Sequence, residues 1–129
     1  MNNFKIIFHI LNVLFLIFYF YPGSIIGIVF YRNINYQPQL INDFVISSNH
    51  FFIFIIISYF GLLAYYEIKK KIILFYLIFI SIFTEILHLI IPLRAFQFSD
   101  LFGNILGVIL TIFLFLFFKN LLIKNNDYK

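Results

Sequence analysis

Apolar residues occur along this chain in four long runs that short polar segments separate, at about residues 4–21, 49–66, 72–91 and 101–118. A helix that crosses the ~30 Å hydrocarbon core of a bilayer needs about 20 such residues. Each run is close to that length. The pattern therefore predicts an all-α, polytopic membrane protein with four transmembrane helices in one bundle, forming a single domain over residues 1–129.

The apolar runs are flanked by residues that commonly end or begin helices. Pro22-Gly23 closes the first run and Pro92 closes the third, while Ser99 or Asp100 is a suitable N-cap for the fourth. A further apolar patch, residues 24–31, is too short to cross a bilayer. We expect it to be a short interfacial or re-entrant segment, or an added turn of a tilted first helix. The first run is too long and too weakly basic at its start for a signal peptide, which predicts a retained anchor.

Composition supports lipid as the solvent of this chain. It is 64% hydrophobic and 11% charged, whereas soluble domains are about 45–50% apolar and 25% charged. The absence of cysteine excludes disulfides, thiol nucleophiles and thiolate metal sites. The net charge of +4 is too diffuse to indicate nucleic-acid binding, so membrane lipids are the expected partners.

The distribution of lysine and arginine predicts the orientation in the membrane. With four spans, both termini and the 67–71 loop lie on one side. That side carries seven basic residues: Lys5, Lys69, Lys70, Lys71, Lys119, Lys124 and Lys129. The opposite side carries Arg32 and Arg94. Because lysine and arginine are enriched in cytoplasmic loops, both termini are predicted to be cytoplasmic.

A set of polar and ionisable residues is predicted to converge on the non-cytoplasmic end. The candidate site residues are His50, Glu85, His88, Arg94, Asp100 and Asn104. They come from the start of the second span, the end of the third, the loop after it and the start of the fourth. Ionisable groups in a membrane segment are costly, and a functional site is their default interpretation. Alternatively, they form a buried salt-bridge network that sets helix register.

Helical spacing brings these residues onto shared faces. The three faces are Ser81, Glu85 and His88; Asp100, Asn104 and Gly107; and His50, Phe54, Ser58, Gly61 and Tyr65. Gly103 and Gly107 form a G-x-x-x-G pattern, which favours close helix packing within the monomer over dimerisation. The sequence leaves the oligomeric state open.

Charge balance constrains the protonation of the site. Glu85 and Asp100 supply two negative charges and Arg94 supplies one positive charge. A low-dielectric pocket favours a further positive charge, so His50 or His88 is protonated, or Glu85 is neutral. For His50, a site role and a structural role are equally favoured. In the structural role, loop carbonyls accept its hydrogen bonds at the start of its helix.

Other polar residues have simpler interpretations. Asn104 is expected to donate an interhelical hydrogen bond to Asp100 or Glu85. His9 and Asn12, on the cytoplasmic side, are expected to be packing or interface residues. Three tyrosines are expected to be interfacial anchors: Tyr19, Tyr21 and Tyr31.

The spacing of the polar residues resembles the VanZ-like family of small membrane proteins over about residues 81–110. The matching residues are Glu85 and His88, Pro92-Leu93-Arg94, Ser99-Asp100, Asn104 and Gly107. Residues 47–54 resemble the family's second helix, and residues 22–27 resemble its first outer loop. The family often has an Asp-Lys pair ahead of the second-helix histidine. This chain has Ile46 and Ser47 there instead, with Asp43 nearby but out of register.

The resemblance implies a multi-pass protein of the bacterial plasma membrane and cell envelope. The family is named for a member linked to glycopeptide (teicoplanin) resistance, so antibiotic resistance is implied by resemblance alone. The family has no firmly assigned activity to transfer. Some relatives are labelled phosphotransbutyrylase, but this chain has no nucleotide or acyl-carrier motif that would support that label.

Three classes of function follow from the candidate residues. In the first, an outward-facing pocket binds a lipid head group or a cell-wall precursor; Arg94 contacts phosphate and the carboxylates hold Arg94. In the second, a membrane-embedded enzyme acts on a lipid-linked substrate, with Glu85 or His88 as general acid or base. The third is a metal site of His50, His88, Glu85 and Asp100.

We favour the first class. The chain has no H-x-x-x-H pair, so we predict no metal and no cofactor. A transporter is disfavoured because the ionisable residues do not continue to the cytoplasmic side. The sequence leaves open whether the protein is an enzyme.

Overall fold

The computed structural model describes residues 2–41 and 45–126, and the described secondary structure is helical. The helices are α1 (Asn2–Phe20), α2 (Ile25–Tyr31), α3 (Ser48–Leu87) and α4 (Phe98–Asn126). The all-α prediction is thus confirmed for the described residues. By length and composition, α1, α3 and α4 are apolar enough to cross a membrane. Asp43 lies outside the described residues.

Helix α3 is a hairpin of two antiparallel arms, residues 48–68 and 70–87. Its interior is interrupted at Lys69, where φ is −139° and ψ is 48°. His50 and Glu85 are 35 positions apart, and a straight helix would separate them by about 52 Å. Their side chains instead approach to 4.0 Å. The chain therefore reverses at Lys69, and the loop predicted at 67–71 is reduced to this one non-helical residue.

The buried face of α1 packs against the arms of α3. Phe8, Asn12, Phe15 and Tyr19 are buried, and their spacing of four, three and four residues marks one side of a helix. The core they join includes Phe54, Ile57, Leu62, Leu77 and Val108. α4 packs against α3, which completes a bundle of α1, the two arms and α4.

The outer surface of this bundle is apolar. On α1, the side opposite the core exposes Ile6, Ile10, Val13 and Ile17, and α4 exposes Phe102, Leu106, Ile109, Phe113 and Phe117. Contiguous apolar surface of this extent is rare on proteins that fold in water. It is the surface that a lipid environment would stabilise.

The two glycines of the G-x-x-x-G pattern lie where α4 meets the first arm of α3. A Cβ atom on Gly103 would lie 2.8 Å from the Ser47 carbonyl oxygen. A Cβ atom on Gly107 would lie 2.6 Å from the Phe51 carbonyl oxygen. The pattern therefore provides close packing within the chain, as expected.

Several helix ends differ from the predicted ones. α4 begins at Phe98, so Ser99 and Asp100 lie in its first turn, and the prediction that either is the N-cap is wrong. α3 ends at Leu87 rather than Ile91. After Leu87 the chain tightens into a turn in which Leu89 N–H donates to the Ile86 carbonyl. Pro92 disfavours helical geometry at Ile91, so the helix does not resume there.

The patch after α1 forms a separate short helix, α2. Gly23 has a φ of +84°, which turns the chain away from α1. Ser24 then caps α2, because its Oγ accepts a hydrogen bond from Gly27 N–H at 2.9 Å. The alternative of an added turn on the first helix is therefore wrong.

The bundle has two chemically different ends. At one, Lys5 and Lys119 lie over the rings of Tyr65 and Tyr66, close to the chain reversal at Lys69. We call this the basic end. The opposite end, where α1 finishes and α3 and α4 start, is the site end.

Candidate functional site

Four segments of the chain bring polar side chains together at the site end. We define the polar cluster as Tyr19, His50, Glu85, His88, Asp100 and Asn104. It combines the last turn of α1, the first turn of α3, the last turn of α3 and the first two turns of α4. Glu85 and Asn104 have 0% of their surface exposed and His88 has 2%. The structure brings together all of the candidate residues except Arg94, which lies beside the cluster.

Glu85 is the most deeply buried acid of the cluster, and its two oxygens have different surroundings. Oε1 accepts a hydrogen bond from Gln97 N–H at 2.9 Å, which attaches the loop before α4 to α3. Oε2 lies 3.2 Å from His88 Nδ1 and 4.0 Å from His50 Nδ1. Within the described residues, no hydrogen bond of acceptable geometry reaches Oε2. One carboxylate oxygen is therefore left facing two imidazole rings.

His88 is held in a defined orientation by Tyr19. Its Nε2 lies 3.2 Å from the Tyr19 backbone carbonyl, and a carbonyl only accepts hydrogen bonds, so Nε2 carries a hydrogen. The two rings also stack, with centroids 5.3 Å apart and an interplanar angle of 18°. The other ring nitrogen, Nδ1, is thereby directed at Glu85.

His50 and Asn104 complete the cluster through Tyr19. The Tyr19 hydroxyl donates to Asn104 Oδ1 at 2.8 Å and also contacts His50 Nδ1. The other ring nitrogen of His50, Nε2, is 3.3 Å from Asp100 Oδ2. Asn104 Nδ2 donates to the Ser81 carbonyl at 3.1 Å. The expectation that Asn104 donates to Asp100 or Glu85 is therefore wrong. Of the two alternatives for His50, the structure favours contacts with the cluster over contacts with loop carbonyls.

Tyr19 is the cluster residue that sequence reasoning missed. It was expected to anchor the chain at the membrane interface, but only 7% of it is exposed. The available signal was its spacing from Phe8, Asn12 and Phe15, which identifies the buried face of α1. Tyr21 and Tyr31 are exposed, as interfacial tyrosines would be.

Arg94 lies beside the cluster and binds the C-terminal end of α1. Its guanidinium donates to the Phe18 carbonyl at 2.9 Å and to the Tyr21 carbonyl at 3.3 Å. Cations commonly satisfy the free carbonyls at this end of a helix. Within the described residues Arg94 forms no ion pair. The expectation that carboxylates hold Arg94 is therefore wrong.

The charge of Arg94 is maintained despite partial burial. Desolvation lowers the pKa of the guanidinium from its ordinary value, while the negative charges of Asp100 and Glu85 act in the opposite direction. Arginine begins so far above neutrality that it stays protonated in proteins. Arg94 thus supplies a permanent positive charge at the site end.

A cavity of about 120 Å³ connects Arg94 with the polar cluster. Its wall includes Arg94, Tyr19, His50, Ser24 and Asn49. At about 30 Å³ of liquid volume per water, this space holds roughly four waters or one group of similar size. The cavity is the opening through which a ligand could reach the cluster.

His9 and Asn12 lie toward the basic end and take no part in the cluster. His9 Nε2 is 2.7 Å from the Tyr65 hydroxyl. Asn12 donates to the Phe8 carbonyl at 2.8 Å and accepts from the Tyr76 hydroxyl. These contacts join α1 to both arms of α3.

Fold and site together define a helical protein with three membrane-length apolar helices and a buried cluster of acids and histidines at one end. The chain matches no protein-family model, no curated protein and no solved structure. The chemistry of the polar cluster permits proton exchange between a carboxylate and an imidazole and ligation of a cation. Arg94, beside the cluster, can recognise an anionic group.

Proposed function

We propose that this chain is an integral membrane protein with four transmembrane spans, and that the cavity at its site end binds the phosphate of a lipid head group. The phosphate belongs to a membrane lipid or to a lipid-linked cell-wall precursor. The observation that carries this proposal is the juxtaposition of Arg94 and His50 on the wall of one cavity.

The four spans are α1, the two arms of α3, and α4. The arms of 48–68 and 70–87 would be about 31 and 27 Å long, close to the ~30 Å thickness of the hydrocarbon core. Described lysines lie at the basic end, whereas Arg94 is at the site end. The positive-inside rule then favours cytoplasmic termini and an outward-facing cavity. Location in a bacterial plasma membrane, and any role in glycopeptide resistance, rests on the resemblance to VanZ-like proteins.

Arg94 is suited to phosphate because it is already oriented. A guanidinium has five N–H donors, and two of its contacts are made with the carbonyls of Phe18 and Tyr21. The remaining donors can form paired, charge-assisted hydrogen bonds with phosphate oxygens. The volume of the cavity accommodates one phosphate group, so acyl chains and sugars of the ligand would remain outside it, along the apolar surface.

Native mass spectrometry of the full chain in detergent tests this proposal. The protein is first reconstituted with phosphatidylglycerol and phosphatidylethanolamine, and wild type is compared with Arg94→Gln. We expect Arg94→Gln to reduce retained lipid by about 10- to 100-fold, which corresponds to roughly 1.5–3 kcal/mol for a charged hydrogen bond. The matched control is Arg32→Gln, which removes the same charge from the end of α2 and should retain lipid.

Loss of folding must be separated from loss of binding, because Arg94 also joins its loop to α1. Circular dichroism melting identifies variants that remain helical. Arg94→Lys keeps the charge and removes the planar donor pair, so it should bind lipid with intermediate strength. A folded Arg94→Gln protein that retains lipid at the wild-type level would overturn the proposal.

A second candidate is a membrane-embedded enzyme that acts on a lipid-linked substrate. The observation in its favour is the 3.2 Å approach of His88 Nδ1 to Glu85 Oε2, within the range of proton transfer between an acid and a base. This candidate predicts that vesicles containing the protein alter the head group of an added lipid over time. Glu85→Gln should then abolish turnover while lipid retention persists, and His9→Gln should affect neither.

A further inference from the structure

We infer that the polar cluster is a binding site for a divalent transition-metal ion of the zinc type. The ligands are His50, Glu85 and Asp100, with His88 as the fourth. This inference concerns the buried cluster and does not depend on lipid binding at Arg94. The sequence predicts no metal because the chain has no short ligand motif. In the folded chain, however, ligands that are distant in sequence lie close together.

The distances between ligand atoms suit a single ion. One ligand atom from each of His50, Glu85 and Asp100 lies within 4.8 Å of the others. His50 Nε2 is 3.3 Å from Asp100 Oδ2, and His88 Nδ1 is 3.2 Å from Glu85 Oε2. Tetrahedral zinc has bonds of about 2.0–2.1 Å to nitrogen and oxygen, which places its ligand atoms roughly 3.3 Å apart. Binding would therefore require the three ligand atoms, now up to 4.8 Å apart, to move closer together, and His88, which now approaches Glu85 alone, to move toward the other two ligands.

An oxygen without a hydrogen bond points independently to a ligand. Glu85 is fully buried, and its Oε2 has no hydrogen bond from the described residues although two imidazole rings face it. Leaving a buried carboxylate oxygen unsatisfied is costly. A cation between Oε2 and His88 Nδ1 would satisfy both the carboxylate and the nitrogen lone pair.

The surrounding contacts are those that orient metal ligands. A metal-bound histidine usually donates its second N–H to a carbonyl or carboxylate. His88 Nε2 lies 3.2 Å from the Tyr19 carbonyl, which leaves Nδ1 for the ion. Glu85 is held through Oε1, which accepts from Gln97 N–H. Both side chains are therefore positioned by contacts that do not use their metal-facing atoms.

Charge and ligand type favour a zinc-like ion. Glu85 and Asp100 place two carboxylates in a buried site, and Arg94 makes its contacts with the carbonyls of α1 instead. A divalent ion would neutralise both acids. Two imidazoles with two carboxylates suit zinc and similar transition metals, whereas magnesium and calcium prefer all-oxygen sites. His50 lines the 120 Å³ cavity, which supplies an entry path.

Metal analysis of the purified full chain tests this inference. The protein is stripped with a chelator, exposed to zinc, freed of excess ion by gel filtration and analysed by inductively coupled plasma mass spectrometry. We expect about one zinc per chain for wild type, the stoichiometry of a single four-ligand site. Cobalt in place of zinc should give the visible absorption bands of a tetrahedral site.

Variants separate a specific site from surface binding. Glu85→Gln and His50→Gln should lose most of the bound zinc, and the cobalt spectrum should disappear. His9→Gln is the matched control, because it removes a histidine at the other end of α1 and should bind zinc like wild type. Asp100→Asn, at a less buried position, provides a second ligand variant if Glu85→Gln does not fold.

Two results would overturn the inference. One is a wild-type protein that retains no zinc after gel filtration. Protons, rather than a metal ion, would then neutralise the negative charge of the carboxylates. The other is full zinc retention by folded Glu85→Gln and Asp100→Asn, which would place the metal elsewhere. Either result leaves the lipid-retention assay at Arg94 unaffected, so the two proposals fail separately.

Discussion

Replacing Gly107 with alanine tests the closest helix contact of the bundle. The added Cβ would lie 2.6 Å from the Phe51 carbonyl oxygen, which belongs to the backbone and cannot rotate away. Relief of this clash requires α4 to shift from the first arm of α3, and overpacking of this kind costs about 1–3 kcal/mol. Alanine also gains about 1 kcal/mol in helix propensity over glycine. The net expectation is destabilisation by about 0–2 kcal/mol.

Gly61→Ala is the matched control for this substitution. Its Cβ would meet the outer ring edge of Phe8 at 2.9 Å and the end of the Ile73 side chain at 3.2 Å. Both groups are side chains that can move, so the clash and the propensity gain should nearly cancel. Unfolding in a detergent series, followed by circular dichroism, compares the two variants with wild type.

The difference between the two variants isolates the contact, because both gain the same helix propensity. We expect Gly107→Ala to be less stable than Gly61→Ala by up to about 2 kcal/mol. If Gly107→Ala is instead more stable than wild type by about the propensity gain, α4 does not pack against Phe51 as described. The proposed alignment of Asp100 and Asn104 with His50 would then lose its structural basis.

The same unfolding assay tests four further substitutions. Asn104→Leu should cost about 1–3 kcal/mol because it removes buried hydrogen bonds that join α4 to α1 and α3. Thr111→Val should cost much less, since that hydroxyl bonds within its own helix; equal losses would contradict a stabilising network. Leu93→Gly should raise stability by up to about 1 kcal/mol, because Leu93 has a φ of +60°, and a loss would show that its side chain matters more. Glu67→Gln should change stability by less than about 0.5 kcal/mol, as its pair with Lys119 is exposed; a larger loss would assign that pair a role in the hairpin.

Much of the architecture could be predicted because hydrophobic length and helical periodicity are local properties. The spacing of Glu85 with His88, and of Asp100 with Asn104, places each pair on one helix face without knowledge of the fold. The order of the spans places those faces at the same end as His50. The exposure of the remaining apolar positions follows from the same periodicity.

Partners across helices could not be predicted in this way. The carboxylates predicted to hold Arg94 do not pair with it. It binds the carbonyls of Phe18 and Tyr21 at the end of α1 and just after it, and backbone acceptors have no signature in a sequence. Tyr19 was assigned to the interface because tyrosine is amphipathic, yet packing against His88 buries it. The prediction of an N-cap at Ser99 or Asp100 is wrong because α4 begins earlier, at Phe98.

The sequence by itself determined the helical character, the membrane-length apolar segments and the set of polar residues that share one end, because these follow from composition and spacing along single helices. The tertiary structure alone decided how those residues are joined. The chain reversal at Lys69 brings Glu85 to His50, and close packing at Gly103 and Gly107 brings Asp100 and Asn104 to both. Distances of 3–4 Å between side chains depend on how neighbouring helices pack, which no single segment specifies.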